Sequence, residues 1–204
     1  MKKFHSNKKL GSHFYKRELL TVAKDLLGKI FVKSDGKNFL SGKIVEVEAY
    51  HGDFDEAAHS YKGLTKRTQI MFERGGYLYV YFTYGVHHCC NIVTGKKGQG
   101  TAVLIRGIEP LTGIRKMTRN RFGGKKIREE EIFNLTSGPG KICQAFRIDR
   151  SHSGIDLTGD NIYILDSEKI KPNEIGISRR IGISKSVELP WRFFIKDNPY
   201  VSRK

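Results

Sequence analysis

The segment Ile44-Val45-Glu46-Val47-Glu48-Ala49-Tyr50 sets two carboxylates on what reads as a β-strand, in a chain with 37 Lys and Arg against 21 Asp and Glu. Side chains alternate along a strand, so Ile44, Glu46, Glu48 and Tyr50 are expected on one face and Val45, Val47 and Ala49 on the other. The acidic run continues through His51-Gly52-Asp53-Phe54-Asp55-Glu56-Ala57-Ala58-His59. A carboxylate set in a basic surface suits chemistry on a polyanion: the surface attracts it and the carboxylate handles a proton or a developing positive charge. Two solvated glutamates on a half-buried strand would show the same pattern.

Four of the nine tyrosines fall in Tyr77-Leu78-Tyr79-Val80-Tyr81-Phe82-Thr83-Tyr84. Alternation assigns Leu78, Val80 and Phe82 to the core and turns Tyr77, Tyr79 and Tyr81 to the other face, as a packed ladder or an aromatic platform. Stacking on such a platform stabilises a nucleobase by ~1–3 kcal/mol whatever its identity. Tyr84, beside Gly85 at the expected hairpin tip, has little local core to enter and is placed to wedge into a duplex.

Charge supports a nucleic-acid partner. The net charge is +16, and it is clustered: Lys2, Lys3, Lys8, Lys9, Lys16 and Arg17 form one block, and Arg115, Lys116, Arg119, Arg121, Lys125, Lys126 and Arg128 another. Three cysteines, Cys89, Cys90 and Cys143, with no C-x-x-C spacing, predict a reduced, intracellular protein. No signal-peptide core and no run of ~18 apolar residues is present, so a soluble protein with no membrane partner is expected, cytoplasmic if bacterial and nuclear if eukaryotic.

The elements that must position these residues follow from periodicity. Residues 1–14 read as a flexible basic tail and 15–204 as one domain. Leu19, Leu20, Val22, Ala23, Leu26 and Leu27 recur at helical spacing, closed by Gly28. Lys29–Lys33 and Phe39–Tyr50 read as one hairpin, Tyr77–Thr83 and His87–Thr94 as another, and Ala102–Arg106 as a further strand. Residues 51–70 form a polar loop with one helical turn at Asp55–His59. A helix is expected to start at Pro110, followed by a basic surface loop to Glu131, and Lys141–Ile148 form a short helix after Ser137-Gly138-Pro139-Gly140. Ile162–Leu165, Ile181–Ile183 and Arg192–Lys196 are strand-like. The fold class is α+β: a single domain with a curved, mostly antiparallel sheet, flanking helices and a protruding β-hairpin.

Carboxylate, tyrosines and basic surface together suggest chemistry on a flipped base. Glu46-Val47-Glu48-Ala49-Tyr50, Asp55-Glu56-Ala57-Ala58-His59-Ser60, Met71-Phe72, Leu78-Tyr79-Val80-Tyr81, Tyr84-Gly85 with Asn91, Leu104-Ile105-Arg106 and Ser137-Gly138-Pro139-Gly140-Lys141 resemble the alkyladenine DNA glycosylase family, the 3-methyladenine DNA glycosylases of the mammalian type. The matches keep order and spacing over roughly residues 15–202. The resemblance implies a monofunctional hydrolase that removes alkylated or deaminated purines from double-stranded DNA; no metal or other cofactor is expected, and a monomer suits a protein that must wrap one duplex. It implies Glu48 as the base that activates water, and Arg106 as a residue holding that water and a nearby phosphate. Tyr50 and Tyr81 would sandwich the extruded base, His59 hydrogen-bond to it, and Ala57 line the purine edge. Asn91 would oppose the 2-amino group of guanine and Tyr84 intercalate. Glu46 takes a supporting role. Departures fall at Val86-His87-His88-Cys89-Cys90 and Thr65-Lys66-Arg67-Thr68, positions that bear on lesion range and groove contacts rather than on the reaction.

Two other classes fit parts of the pattern. A metal-dependent nuclease would use Glu46, Glu48, Asp53, Asp55 and the histidines, although no H-E-x-x-H spacing occurs. A non-catalytic nucleic-acid-binding module would use the tyrosines alone.

Overall fold

The computed structural model describes residues 8–36, 38–83, 85, 87–125 and 128–202. Helix α1 spans Ser12–Tyr15 and helix α2 spans Leu19–Leu26. The carboxylate of Glu18 caps α2 by accepting from the Leu20 and Thr21 amides at 2.9 and 2.8 Å. Leu19, Val22, Ala23 and Leu26 are its buried stripe, and Gly28, at φ +83°, reverses the chain. The packed chain begins earlier than the expected tail boundary. Lys9 bridges Leu165, and Leu10 enters the main core, because its amide donates to Ile164 O at 2.8 Å. Residues 8–14 therefore belong to the domain. Residues 1–7 lie outside the described residues.

Eight strands form one antiparallel sheet: β1 Ile30–Ser34, β2 Phe39–Tyr50, β3 Leu78–Thr83, β4 His87–Thr94, β5 Thr101–Thr112, β6 Ile162–Leu165, β7 Ile175–Ser178 and β8 Arg192–Ile195. The order is β3-β4-β5-β2-β1-β6, and β8 pairs with both β2 and β7. Helices α3 (Ile114–Phe122) and α4 (Pro139–Phe146) complete a single α+β domain whose main core joins α2, β2, β5 and α4. Among the described residues, no helix is long and apolar enough to cross a membrane.

Five local expectations are corrected. Strand alternation breaks within β2, where the register with β5 shifts between Ile44 and Glu46 and again between Glu46 and Val47. Ile44 consequently packs in the same core as Val47 and Ala49 instead of sharing a face with the glutamates. Pro110 does not start a helix. It lies in β5 opposite Gly42, beside another register shift, where a missing N–H is tolerated, and α3 begins only after Gly113. The first half of the supposed basic loop is α3 itself, anchored by buried Met117. Residues 181–183 are not a strand: Gly182 has φ +76°, and the pairing strand is β7. Phe82 is also displaced from the expected core. It is 45% exposed and packs on His88 with ring centroids 5.0 Å apart, because the β3–β4 hairpin extends past the core there.

Candidate active site

β2 has hydrogen-bonded neighbours on both edges where its carboxylates sit. Glu46 lies between Gly107 of β5 and Phe194 of β8, and Glu48 between Leu104 and Arg192. Neither glutamate exposes any surface. Buried carboxylates require donors, and each has its own set. Glu46 accepts from Arg192 Nε at 2.7 Å, Arg106 Nε at 3.3 Å, and the Ser202 amide and hydroxyl at 2.6 and 2.9 Å. Glu48 Oε1 accepts from the Ile181 amide at 2.7 Å, and Oε2 from the Tyr50 hydroxyl at 2.8 Å and Arg106 Nη1 at 3.4 Å. Arg106 thus spans both carboxylates.

Burial lifts the Glu48 pKa above the usual carboxylate value, against the opposing pull of the Arg106 charge and the bonds from Ile181 and Tyr50. Burial, then the adjacent Glu48 charge, holds the Tyr50 hydroxyl protonated far above its ordinary range. Glu48 is therefore a base of raised strength, held by donors that remain donors.

In front of this carboxylate lies a cavity of about 490 Å³, a size suited to a small aromatic ligand. Tyr50, Ala57, His59, Tyr81, Asn91 and Arg106 all line it. Glu48 sits behind them, reached through Tyr50, Arg106 and Ile181. Tyr50 and the other five lining residues just named come from five places in the chain. Tyr50 ends β2, Ala57 and His59 follow in the turns after it, Tyr81 is on β3, Asn91 on β4 and Arg106 on β5. Pro139, at the start of α4, reaches the cavity too, and Gly140 packs closely on His87 of the hairpin. Tyr84, the expected intercalating residue, lies outside the described residues.

His59 has a defined tautomer. Its Nε2 faces Arg67 Nη2 at 3.4 Å, and arginine only donates, so Nε2 accepts and Nδ1 donates to the Tyr79 hydroxyl at 3.1 Å. Burial, reinforced by the Arg67 charge, lowers its pKa to about 4, and the ring is neutral at neutral pH. Tyr81 meets His59 edge-on at 4.3 Å between centroids. Burial raises its hydroxyl pKa, with a smaller push from the hydrogen-bonded Cys89. The Cys89 thiol is itself pushed up to about 11 by burial and is no nucleophile at neutral pH. The Asn91 side-chain amide donates to Tyr79 O at 3.3 Å, which ties β4 to β3 beneath the tyrosines.

Residues to which the sequence reading gave no pocket role complete the site: Ile181 as a donor to Glu48, with Cys89, Leu104 and the stretch after Ile181 as walls, beside Tyr79 of the expected tyrosine face. Ile181 lies in a stretch whose apolar pattern is strand-like, and no local signal marks an amide that bonds a carboxylate 133 positions away. Three of the four carboxylates that a nuclease would use are engaged elsewhere: Glu46 by Arg106 and Arg192, Glu48 by Arg106, and Asp55 by Arg180.

Comparison with known proteins agrees with this geometry. The family model for methylpurine-DNA glycosylase matches residues 13–199. Relatives whose names assign them as 3-methyladenine DNA glycosylases include one from Clostridium novyi, 48% identical over 203 residues and covering 97% of this chain and 100% of the relative. Another, from Alkaliphilus oremlandii, is 48% identical over 202 residues, with 96% and 100% covered. A third, from Carboxydothermus hydrogenoformans, is 48% identical over 196 residues, with 96% and 99% covered. With two carboxylates buried behind a tyrosine-walled cavity and a match over nearly its whole length, the chain belongs to the methylpurine-DNA glycosylase family, hydrolases of N-glycosyl bonds that act in base-excision repair.

Proposed function

We propose that the enzyme flips an alkylated or deaminated purine (3-methyladenine, 7-methylguanine, hypoxanthine or ethenoadenine) out of duplex DNA into this cavity, and hydrolyses its N-glycosidic bond to leave an abasic site. The observation that carries this reading is the join between Tyr50 and Glu48: one side chain both walls the cavity and bonds the buried carboxylate at 2.8 Å. A base stacked on Tyr50 then brings its sugar toward Glu48.

Breaking the bond builds positive charge on the sugar, which the Glu48 carboxylate stabilises while it takes a proton from the attacking water. Arg106, bonded to both carboxylates, orients that water and meets the phosphate. Tyr50 and Tyr81 hold the base, with His59 and Ala57 at its edge. Asn91 opposes a guanine 2-amino group, which supports discrimination against the normal base. Tyr84 fills the gap left in the duplex. The basic blocks bind the DNA backbone, the protein acts as a monomer, and in a bacterial cell it would associate with the nucleoid through DNA.

The test is release of free base from duplexes carrying each lesion, in the presence of a chelator, by wild type and by Glu48→Gln. The expected result is an intact abasic strand from wild type, and loss of release with retained DNA binding in the variant. Undiminished release by Glu48→Gln would overturn the assignment of the base, and chelator-sensitive strand scission would favour a nuclease.

A further inference from the structure

Arg180 and Asp55 form an ion pair with no exposed side-chain surface on either partner, 125 residues apart in sequence, and the reaction outlined above does not use them. The guanidinium forks onto the carboxylate: Nη2 lies 2.8 Å from Oδ1, and Nη1 bonds Oδ2. Nη1 also donates to Ala49 O at 2.9 Å, and Nη2 to Ser186 O at 3.2 Å. The guanidinium carbon stands 4.6 Å from the centre of the Tyr50 ring and 5.6 Å from that of Trp191. Asp55 in turn accepts from the Ala57 amide at 3.1 Å and the His51 amide at 3.3 Å, which shapes the turns that carry Ala57 and His59.

A buried ion pair is a poor source of stability, because apolar residues of similar volume commonly do as well or better. What apolar residues lack is direction. A guanidinium offers five N–H groups in one plane at set angles. Here the four Nη hydrogens are aimed at the Ala49 carbonyl, between Glu48 and Tyr50, at the loop carboxylate, and at the far end of the segment that begins with Ile181, while the Nε–H is buried without a partner among the described residues. The residue following Arg180 donates the 2.7 Å bond to Glu48 Oε1.

We propose that Arg180, held by Asp55, is a positioning residue for hydrolysis: it fixes the Ile181 amide and the Tyr50 ring against Glu48, and locks the two cavity walls, residues 51–59 and 180–186, into one unit. The inference rests on the reading of Glu48 as the water-activating base. The groups that face Glu48 are Arg106, the Tyr50 hydroxyl, the Ile181 amide and, more distantly, the Glu46 carboxylate, the Tyr81 hydroxyl on β3 and the Cys89 thiol on β4. All of them persist when the pair is altered, so a change in Glu48 behaviour reports their placement.

The experiment compares wild type, Glu48→Gln, Arg180→Lys and the double variant Arg180→Met with Asp55→Asn. The double variant removes both buried charges together and keeps an acceptor for the Ala57 amide. Single-turnover release of 7-methylguanine from duplex DNA is followed against pH, alongside thermal melting and binding to a duplex with a stable abasic analogue. The double variant is expected to melt near wild type and bind the analogue within about twofold. Its release rate should fall at least about tenfold, with the acid limb moved to higher pH as the amide bond to ionised Glu48 loosens. Arg180→Lys keeps the charge but not the fork, and should show the same upward limb. A folded double variant with wild-type rate and limb would overturn the inference. So would a wild-type limb in Arg180→Lys, which also serves as the test if the double variant does not fold. Absence of release by wild type would instead strike the proposed activity on this lesion, and undiminished release by Glu48→Gln the reading of Glu48.

Discussion

Tyr50→Phe removes one oxygen atom from the site and leaves the ring that walls the cavity. The lost group donates to Glu48 Oε2 at 2.8 Å, while the Ile181 amide on Oε1 and Arg106 Nη1 on Oε2 remain. A hydrogen bond to an ionised group contributes about 1.5–3 kcal/mol. At ~1.36 kcal/mol per pKa unit, its loss disfavours the carboxylate by about 1–2 units. The hydroxyl donates to the ionised form, so removing it raises a pKa that burial has already raised. The base works ionised, so activity is present above its pKa and lost as pH falls through it. The acid limb of single-turnover base release should therefore move up by about 1–2 pH units. The rate on the alkaline plateau should stay near wild type, because ring stacking is unchanged. 7-methylguanine is the substrate of choice, since it leaves from a cationic state and needs no proton of its own. An acid limb that stays in place would refute the coupling of Tyr50 to Glu48, and a plateau lowered without a shift would assign Tyr50 to base holding alone.

Tyr84→Ala should slow release from a duplex far more than from a single strand, measured with the same lesion in both; equal effects would contradict a wedge. His59 titrates near 4 in the fold against 6.5 unfolded, so the stability of its neutral form is complete above pH 6.5 and is lost as pH falls toward about 4. His59→Gln should flatten that fall by about 1–3 kcal/mol in denaturant melts across this window. Gly75→Ala would drive its Cβ into the Tyr15 carbonyl, which also receives the Gly95 amide at 2.9 Å, and should destabilise by about 1–3 kcal/mol or more by thermal melting.

Much of this protein is legible locally. The apolar period and Gly28 mark α2 and the hairpin patterns mark β1 to β4, whereas Tyr50, Ala57, His59, Tyr81, Asn91 and Arg106, which the fold brings around one cavity, are singled out only by the family resemblance. The helix and the hairpins are encoded within a few residues of each other, by side-chain alternation and turn chemistry. Other features follow from partners that sequence order hides. The bulges in β2 and β5 decide that Ile44 joins the core and that Pro110 stays in a strand, because register belongs to the ladder and not to either strand. Residues 175–178 pair with β8 and residues 181–183 line a cavity, though both stretches are apolar and glycine-containing. The carboxylate pair itself shows the division most clearly. Sequence alone placed Glu46 and Glu48 side by side on a strand. Only the tertiary structure put Arg192 and Ser202 on the first and Ile181 on the second, across 133 to 156 positions, because two fully buried carboxylates must each find donors and the fold supplies a different set to each.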